Sequence, residues 1–126
     1  MKPLYFSDKA IEELSNSKNK IVHIVLIATK PDIIKQAPIY QELRDRGELV
    51  LLCHTGQHHD FRYSGGMEEE FGLEVSIRLG IEGSLHQKIA HMIERFGSVI
   101  EYLLSIHKTP IPYIHGDTST SMAIGL

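Results

Sequence analysis

Apolar positions along this chain fall either into short unbroken runs or into longer stretches of helical spacing. Residues 21–28, Ile21-Val22-His23-Ile24-Val25-Leu26-Ile27-Ala28, are rich in β-branched side chains and almost continuous. That is how a strand reads when helices cover both of its faces. Residues 49–53 repeat the pattern, residues 111–114 form a third run, and residues 74–79 alternate as a short edge strand. Helical spacing is strongest over 84–107, where apolar residues at 85, 89, 92, 93, 96, 99, 100, 103 and 104 recur every three or four positions. A short amphipathic helix is predicted over 7–14, opened by the capping residue Ser7. Residues 32–46 predict another, with Gly47 as its stop signal. Pro38 lies inside it, where a proline costs about 3 kcal/mol, so a kink or an effective start near 38 is expected. Residues 61–66 read as loop, 67–71 as one helical turn, and 118–126 as the opening of a further helix. Lys108-Thr109-Pro110 reads as the end of the long helix.

Strands alternating with helices predict an α/β fold, a Rossmann-like parallel sheet of right-handed crossovers. Four strands in the spatial order 3-2-1-4, the first half of a doubly wound fold, are expected. The closing helix is barely two turns and would be marginal without packing partners. The chain therefore reads as cut off.

Composition narrows the class without naming it. A length of 126 residues allows at most one domain with a real core, and 42% apolar and 23% charged residues are ordinary for a globular protein. The net charge of -3 gives no general reason to bind nucleic acid or an anionic membrane, and neither partner is expected. The one cysteine, Cys53, excludes an intrachain disulfide and reads as a small buried hydrophobe. No stretch approaches the roughly 20 apolar residues of a membrane span, so a soluble, cytoplasmic protein is the expectation.

The chemistry gathers where strands end. Thr29-Lys30-Pro31-Asp32 follows the first run, His54-Thr55-Gly56-Gln57-His58-His59-Asp60 the second, and His115-Gly116-Asp117-Thr118 the third. In a parallel sheet these clusters share the carboxyl edge, where open α/β sheets bind ligands. At the first cluster, helix-start N–H groups with Lys30 and Lys35 would suit a phosphate, or Asp32 simply caps the helix beside two solvated lysines. Neither a dinucleotide fingerprint nor a Walker loop is present. The second cluster either orients a ligand by hydrogen bonds or, with His115 and Asp117, supplies His58 and His59 to a metal. In the third, Asp117 is either a proton acceptor facing the crevice or a helix cap. His23, within a strand, reads as a hydrogen-bonded or strand-edge histidine rather than a ligand.

Together, Ala28-Thr29-Lys30-Pro31-Asp32-Ile33-Ile34-Lys35-Gln36-Ala37-Pro38, Thr55-Gly56-Gln57-His58 and His115-Gly116-Asp117-Thr118 resemble the non-hydrolysing UDP-N-acetylglucosamine 2-epimerases. The resemblance runs from about residue 21 to the end, so residues 1–20 are read as an N-terminal extension. Residues 21–126 are read as a truncated N-terminal Rossmann-like domain, the first part of a glycosyltransferase-B-like fold whose second domain is absent. It implies interconversion of UDP-N-acetylglucosamine and UDP-N-acetylmannosamine, feedstock for cell-surface polysaccharide, by elimination and re-addition of UDP. No cofactor and no metal are implied, and a homodimer is the family's habit. By the same resemblance Asp117 matches a catalytic carboxylate. Lys30 takes the place of a phosphate-binding arginine, Lys35 matches a lysine of the first motif, and Gln57 and His58 match positions near the substrate. The usual Gly-Thr-Arg-Pro-Glu reads Ala28-Thr29-Lys30-Pro31-Asp32 here, which keeps the charge but loses the two-pronged fork of arginine. The loop 60–67 also differs from the common bacterial pattern, as in a subfamily with other sugar preferences.

The family's further catalytic residues and most of its UDP-binding residues have no counterpart in the 126 residues, so the chain alone is expected to be inactive. Two other classes of reading stay open. One is a non-catalytic UDP-sugar-binding fragment or split-gene partner; the other is a metal-dependent hydrolase using His58, His59, His115 and Asp117. A hydrolysing epimerase relative, releasing free N-acetylmannosamine, is also compatible with these motifs.

Overall fold

A computed structural model describes residues 4–56 and 72–114, with Lys30 described by its backbone alone. Four parallel strands lie in the order β3-β2-β1-β4, as the alternating pattern predicts. They are β1 (Ile21–Ile27), β2 (Leu49–His54), β3 (Val75–Arg78) and β4 (Thr109–Tyr113). The helices are α1 (Asp8–Asn16), α2 (Lys30–Asp45) and α3 (Leu85–Ser105). The loop over 61–66, the turn over 67–71 and the helix over 118–126 fall outside the described residues.

Two apolar layers sandwich the sheet, and the side-chain period of two sorts β1 between them. Val22, Ile24 and Leu26 join Leu14 of α1 and Phe96 and Leu103 of α3 on one face. Val25 and Ile27 join Ile33, Ala37 and Tyr40 of α2 on the other. Both faces of β2 are covered, and all six of its residues are buried. Cys53 is fully buried in the first layer, and burial pushes its thiol up well beyond the ordinary range.

Helix ends follow local chemistry. Ser7 caps α1 by accepting from the Ala10 N–H at 3.1 Å. Ser84 caps α3, its own N–H donating to Gln87 Oε1 at 2.8 Å. Gly47 ends α2 at φ +76°, with the Gly47 N–H donating to Arg44 O and the Glu48 N–H to Leu43 O. These two bonds satisfy carbonyls that the helix leaves open. The same pair of bonds ends α3, where His107 holds φ +63° without being glycine.

Several boundaries differ from expectation, three of them at the elements that frame the strand ends. First, α2 starts at Lys30 and runs through Pro38 without a break. Thr29 caps it and Pro31, in the first turn, carries a φ already suited to a helix. Second, β2 includes His54. Third, Thr109 and Pro110 belong to β4 rather than to the end of α3, because the Thr109 N–H donates to Lys20 O at 2.8 Å. Residues 4–16, ahead of the resemblance, pack onto the sheet: Phe6 bridges Ile77 antiparallel, with the Ser7 N–H donating to Ser76 O and the Arg78 N–H to Tyr5 O on either side of that contact.

Candidate functional site

With α2 on one face and α3 on the other, the winding direction reverses between β1 and β4. Open α/β sheets place their ligand crevice at the carboxyl ends of the two strands flanking such a reversal. Adjacent strands lie about 4.8 Å apart, so the ends of β2, β1 and β4 span about 10 Å. The chain leaves the sheet there at Ala28 after β1, at Gly56 after β2 and at Ile114 after β4.

At the end of β1 the helix start is already engaged. Asp32 is 5% exposed, and its Oδ2 accepts from the Ala28 and Thr29 N–H groups at 3.1 Å each. Pro31 brings no N–H of its own. A carboxylate therefore offsets the positive end of α2, and an anion bound here depends on lysine charge rather than on the helix. The capping role weighed for Asp32 is the one it fills. Lys30 and Lys35 are five positions apart on α2, hence about 140° apart around its axis. Lys35 is exposed.

Beside β2, the polar cluster begins inside the sheet. His54 is 1% and Thr55 3% exposed, and the Thr55 N–H donates to Ile27 O at 2.9 Å. The His54 and Thr55 carbonyls accept from Leu79 and Ile81 at 2.9 Å each. These two residues are packing and ladder elements, and only Gly56 leaves the sheet. Gln57, His58, His59 and Asp60 lie outside the described residues, as do His115 and Asp117, so the metal-site reading rests wholly on residues that are not described. Among the described residues no three His, Cys, Asp or Glu side chains gather to hold a metal.

Sequence reasoning missed the side chain that ties the crevice together. Gln36 is 2% exposed and reaches from α2 into the gap between β1 and β4. Its Nε2 donates to Leu26 O at 3.2 Å and to Tyr113 O at 2.7 Å. The last β1–β4 pair is Val25↔Tyr113, so the amide stands where the next rung of the ladder would be. Tyr113 is held a second time: its hydroxyl lies 2.7 Å from His23 Nδ1, while His23 Nε2 lies 3.5 Å from Glu48 Oε2. His23 is thus a hydrogen-bonded strand residue, as read from the sequence. The end of β4, four positions before Asp117, is therefore clamped by both α2 and β1. The available signal was a glutamine sharing the stripe of Ile33, Ala37 and Tyr40, a polar group at a core position.

Comparison with known proteins gives the same architecture. A Methanococcus maripaludis protein named a UDP-N-acetylglucosamine 2-epimerase homolog is 27% identical over 103 residues, 79% of this chain and 27% of that protein. Superposition on the Neisseria meningitidis UDP-GlcNAc 2-epimerase bound to UDP-GlcNAc gives a TM-score of 0.66 at 26% identity, over 82% of this chain and 27% of that one. In sequence and fold this chain is similar to the opening part of UDP-N-acetylglucosamine 2-epimerases. A Listeria monocytogenes structure bearing that epimerase name gives a TM-score of 0.69 at 28% identity, over 84% of this chain and 27% of that one. A further epimerase structure, at 24% identity and a TM-score of 0.67, covers 85% of this chain and 28% of its own and adds support for the fold alone. No family model matches the chain. The sheet is thus the opening part of the glycosyltransferase-B-like architecture of these epimerases, and the chain spans about 27% of the length of the curated relative. Among the described residues no helix is long and apolar enough to cross a membrane.

Proposed function

We propose that this chain forms one wall of a UDP-sugar site and serves the UDP-N-acetylglucosamine 2-epimerase reaction. One observation carries the reading: the three motif-bearing segments leave adjacent strand ends at the β1–β4 reversal, in a sheet shared with an epimerase that binds UDP-GlcNAc. In this reading Asp117 accepts the C2 proton of the sugar. The C2–H electron pair becomes the C1=C2 double bond as the bond from C1 to the UDP oxygen breaks, leaving UDP beside a glycal. Reprotonation of C2 from the opposite face and return of UDP to C1 yield UDP-N-acetylmannosamine. Because C2–H is weakly acidic, the step needs a positioned carboxylate and cationic support for the departing diphosphate. Lys30 and Lys35 supply that charge, and Gln57 and His58 orient the sugar. Residues 21–126 act as one half of a cleft whose other half, with most of the UDP contacts, lies in a second domain. The reading carries with it a cytoplasmic setting, a homodimer and a product used for polysaccharide.

Titration of the 126-residue chain with UDP and with UDP-GlcNAc, followed by calorimetry, tests it. Weak binding of both is expected. Lys30→Ala should weaken both, Asp117→Asn should leave UDP binding intact, and the chain alone should not turn over UDP-GlcNAc. Failure of UDP to bind at millimolar concentration refutes the site, and turnover by the isolated chain refutes the need for a second half.

A further inference from the structure

At the end of β3 an arginine is committed to the backbone. Arg95, half-buried on α3, donates from a single nitrogen, Nη1, to Leu79 O at 2.6 Å and to Gly80 O at 2.8 Å. Successive carbonyls of a strand point to opposite sides, so two neighbours reach one donor only where the backbone turns. Gly80 makes that turn at φ +62°, a conformation that residues with a Cβ rarely adopt. The same turn takes up a slip of register. The Leu79 N–H donates to His54 O and the Ile81 N–H to Thr55 O, at 2.9 Å each, so residues 79–81 advance two positions while β2 advances one. Gly80 is the extra residue, as in a β-bulge, a feature frequent beside active sites, where it ends pairing or re-aims a side chain. Leu79 and Ile81 are buried in the layer on the α3 face. Their side chains anchor the turn, and its two converging carbonyls are what need an outside donor.

We infer that Arg95 is a positioning residue for the sugar. By holding the Gly80 turn it fixes His54 and Thr55, and with them the point at which Gly56 carries the chain on toward Gln57 and His58. The inference rests on the epimerase reading, in which Gln57 and His58 orient the sugar. Two observations make the arginine more than a surface contact. Converging carbonyl dipoles repel each other, and a charged donor between them bonds more strongly than a neutral one. Thr55 is also held from both sides, its N–H on Ile27 O and its carbonyl on the Ile81 N–H, so a turn released from Arg95 loosens the last residue before the chain leaves the sheet. Arg95 stands beside β3, two strands from β1 and hence about 10 Å from it. Its effect therefore falls on the sugar end of the ligand and not on a diphosphate held by Lys30 and Lys35.

The test titrates the 126-residue chain with UDP and with UDP-GlcNAc by NMR, beside Arg95→Met, Arg95→Lys and Gly80→Ala. Slow exchange of the Ile24 amide reports that each protein is folded. Arg95→Met should speed exchange of the Leu79 and Ile81 amides at least tenfold relative to Ile24. It should weaken UDP-GlcNAc at least fivefold while changing UDP less than twofold. Because one nitrogen makes both bonds, a lysine ammonium can stand in for it, and Arg95→Lys should recover most of the lost UDP-GlcNAc affinity. Gly80→Ala strains the turn with the guanidinium in place, since an added Cβ would lie an ordinary 3.7 Å from Arg95 Nη1. It should lower the ratio of UDP-GlcNAc to UDP affinity in the same direction, and it decides the matter if Arg95→Met does not fold: an unchanged ratio overturns the inference. Unchanged exchange at Leu79 and Ile81 in Arg95→Met overturns it too, as does an equal loss of UDP and UDP-GlcNAc, or a lysine no better than methionine. Failure of the unaltered chain to bind UDP refutes the epimerase reading and takes the inference with it. UDP binding that persists beside a UDP-GlcNAc affinity indifferent to Arg95→Met refutes the inference alone.

Discussion

Replacing Gln36 by leucine tests whether one amide really holds β1 and β4 together at the candidate crevice. Leucine fills much the same volume but donates nothing, so Leu26 O and Tyr113 O both lose the Nε2 that lies 3.2 and 2.7 Å away. Leu26 is 3% exposed, and a buried carbonyl left without a partner costs about 1–3 kcal/mol. Tyr113 is half-buried and water reaches it more readily, so its loss is that of an ordinary hydrogen bond, about 0.5–1.5 kcal/mol. The added apolar surface returns about 1 kcal/mol, leaving a net loss of about 0.5–3.5 kcal/mol. Urea denaturation should show a lower midpoint at an unchanged slope, and exchange of the β4 amides should speed up more than that of β2. Gln36→Glu should be worse, because a carboxylate would face two carbonyls at a position 2% exposed. Its penalty should be absent below the unfolded carboxyl pKa of about 4.3 and grow as pH rises above it. Equal stability of Gln36→Leu and the unaltered chain would refute the clamp.

Further expectations follow from single positions. His107 holds a left-handed backbone at the end of α3, so His107→Gly should stabilise by about 0.5–1 kcal/mol in urea melts; a neutral or destabilising result would mean that the imidazole earns its place through contacts. Cys53 is fully buried, so thiol reagents should label it only as fast as the chain opens. Burial raises its pKa in the folded state, so the unfolded thiol ionises first and stability falls as pH rises above about 8.5, by about 1.4 kcal/mol per unit. That component should be missing from Cys53→Ala when the two pH profiles are subtracted. Pro38 is exposed inside an unbroken helix, and Pro38→Ala should raise the urea midpoint by the equivalent of about 1–2 kcal/mol; no rise would show that the helix has adapted to the ring.

The sequence carried the elements because their signals are local. Continuous apolar runs marked β1 and β2, spacing of three and four marked α3, and Ser7 and Gly47 marked helix ends by the same chemistry they display in the fold. Strand order followed from alternation and handedness. The likeness to the epimerases was also readable, since the motifs stand at strand ends in a fixed order.

Partners of polar groups were decided only in three dimensions. Nothing near Gln36 in the chain announces Tyr113, which is 77 positions away, and nothing beside His54 announces that it and Thr55 stay buried in the ladder while the chain leaves the sheet only at Gly56. Pro110 looks like a helix stop until β1 lies beside it and shows that its nitrogen faces outward. Periodicity reports which side of an element avoids water, because that depends on neighbours three or four positions away. A hydrogen bond depends on where another element's backbone comes to rest, and that is fixed only when the layers pack.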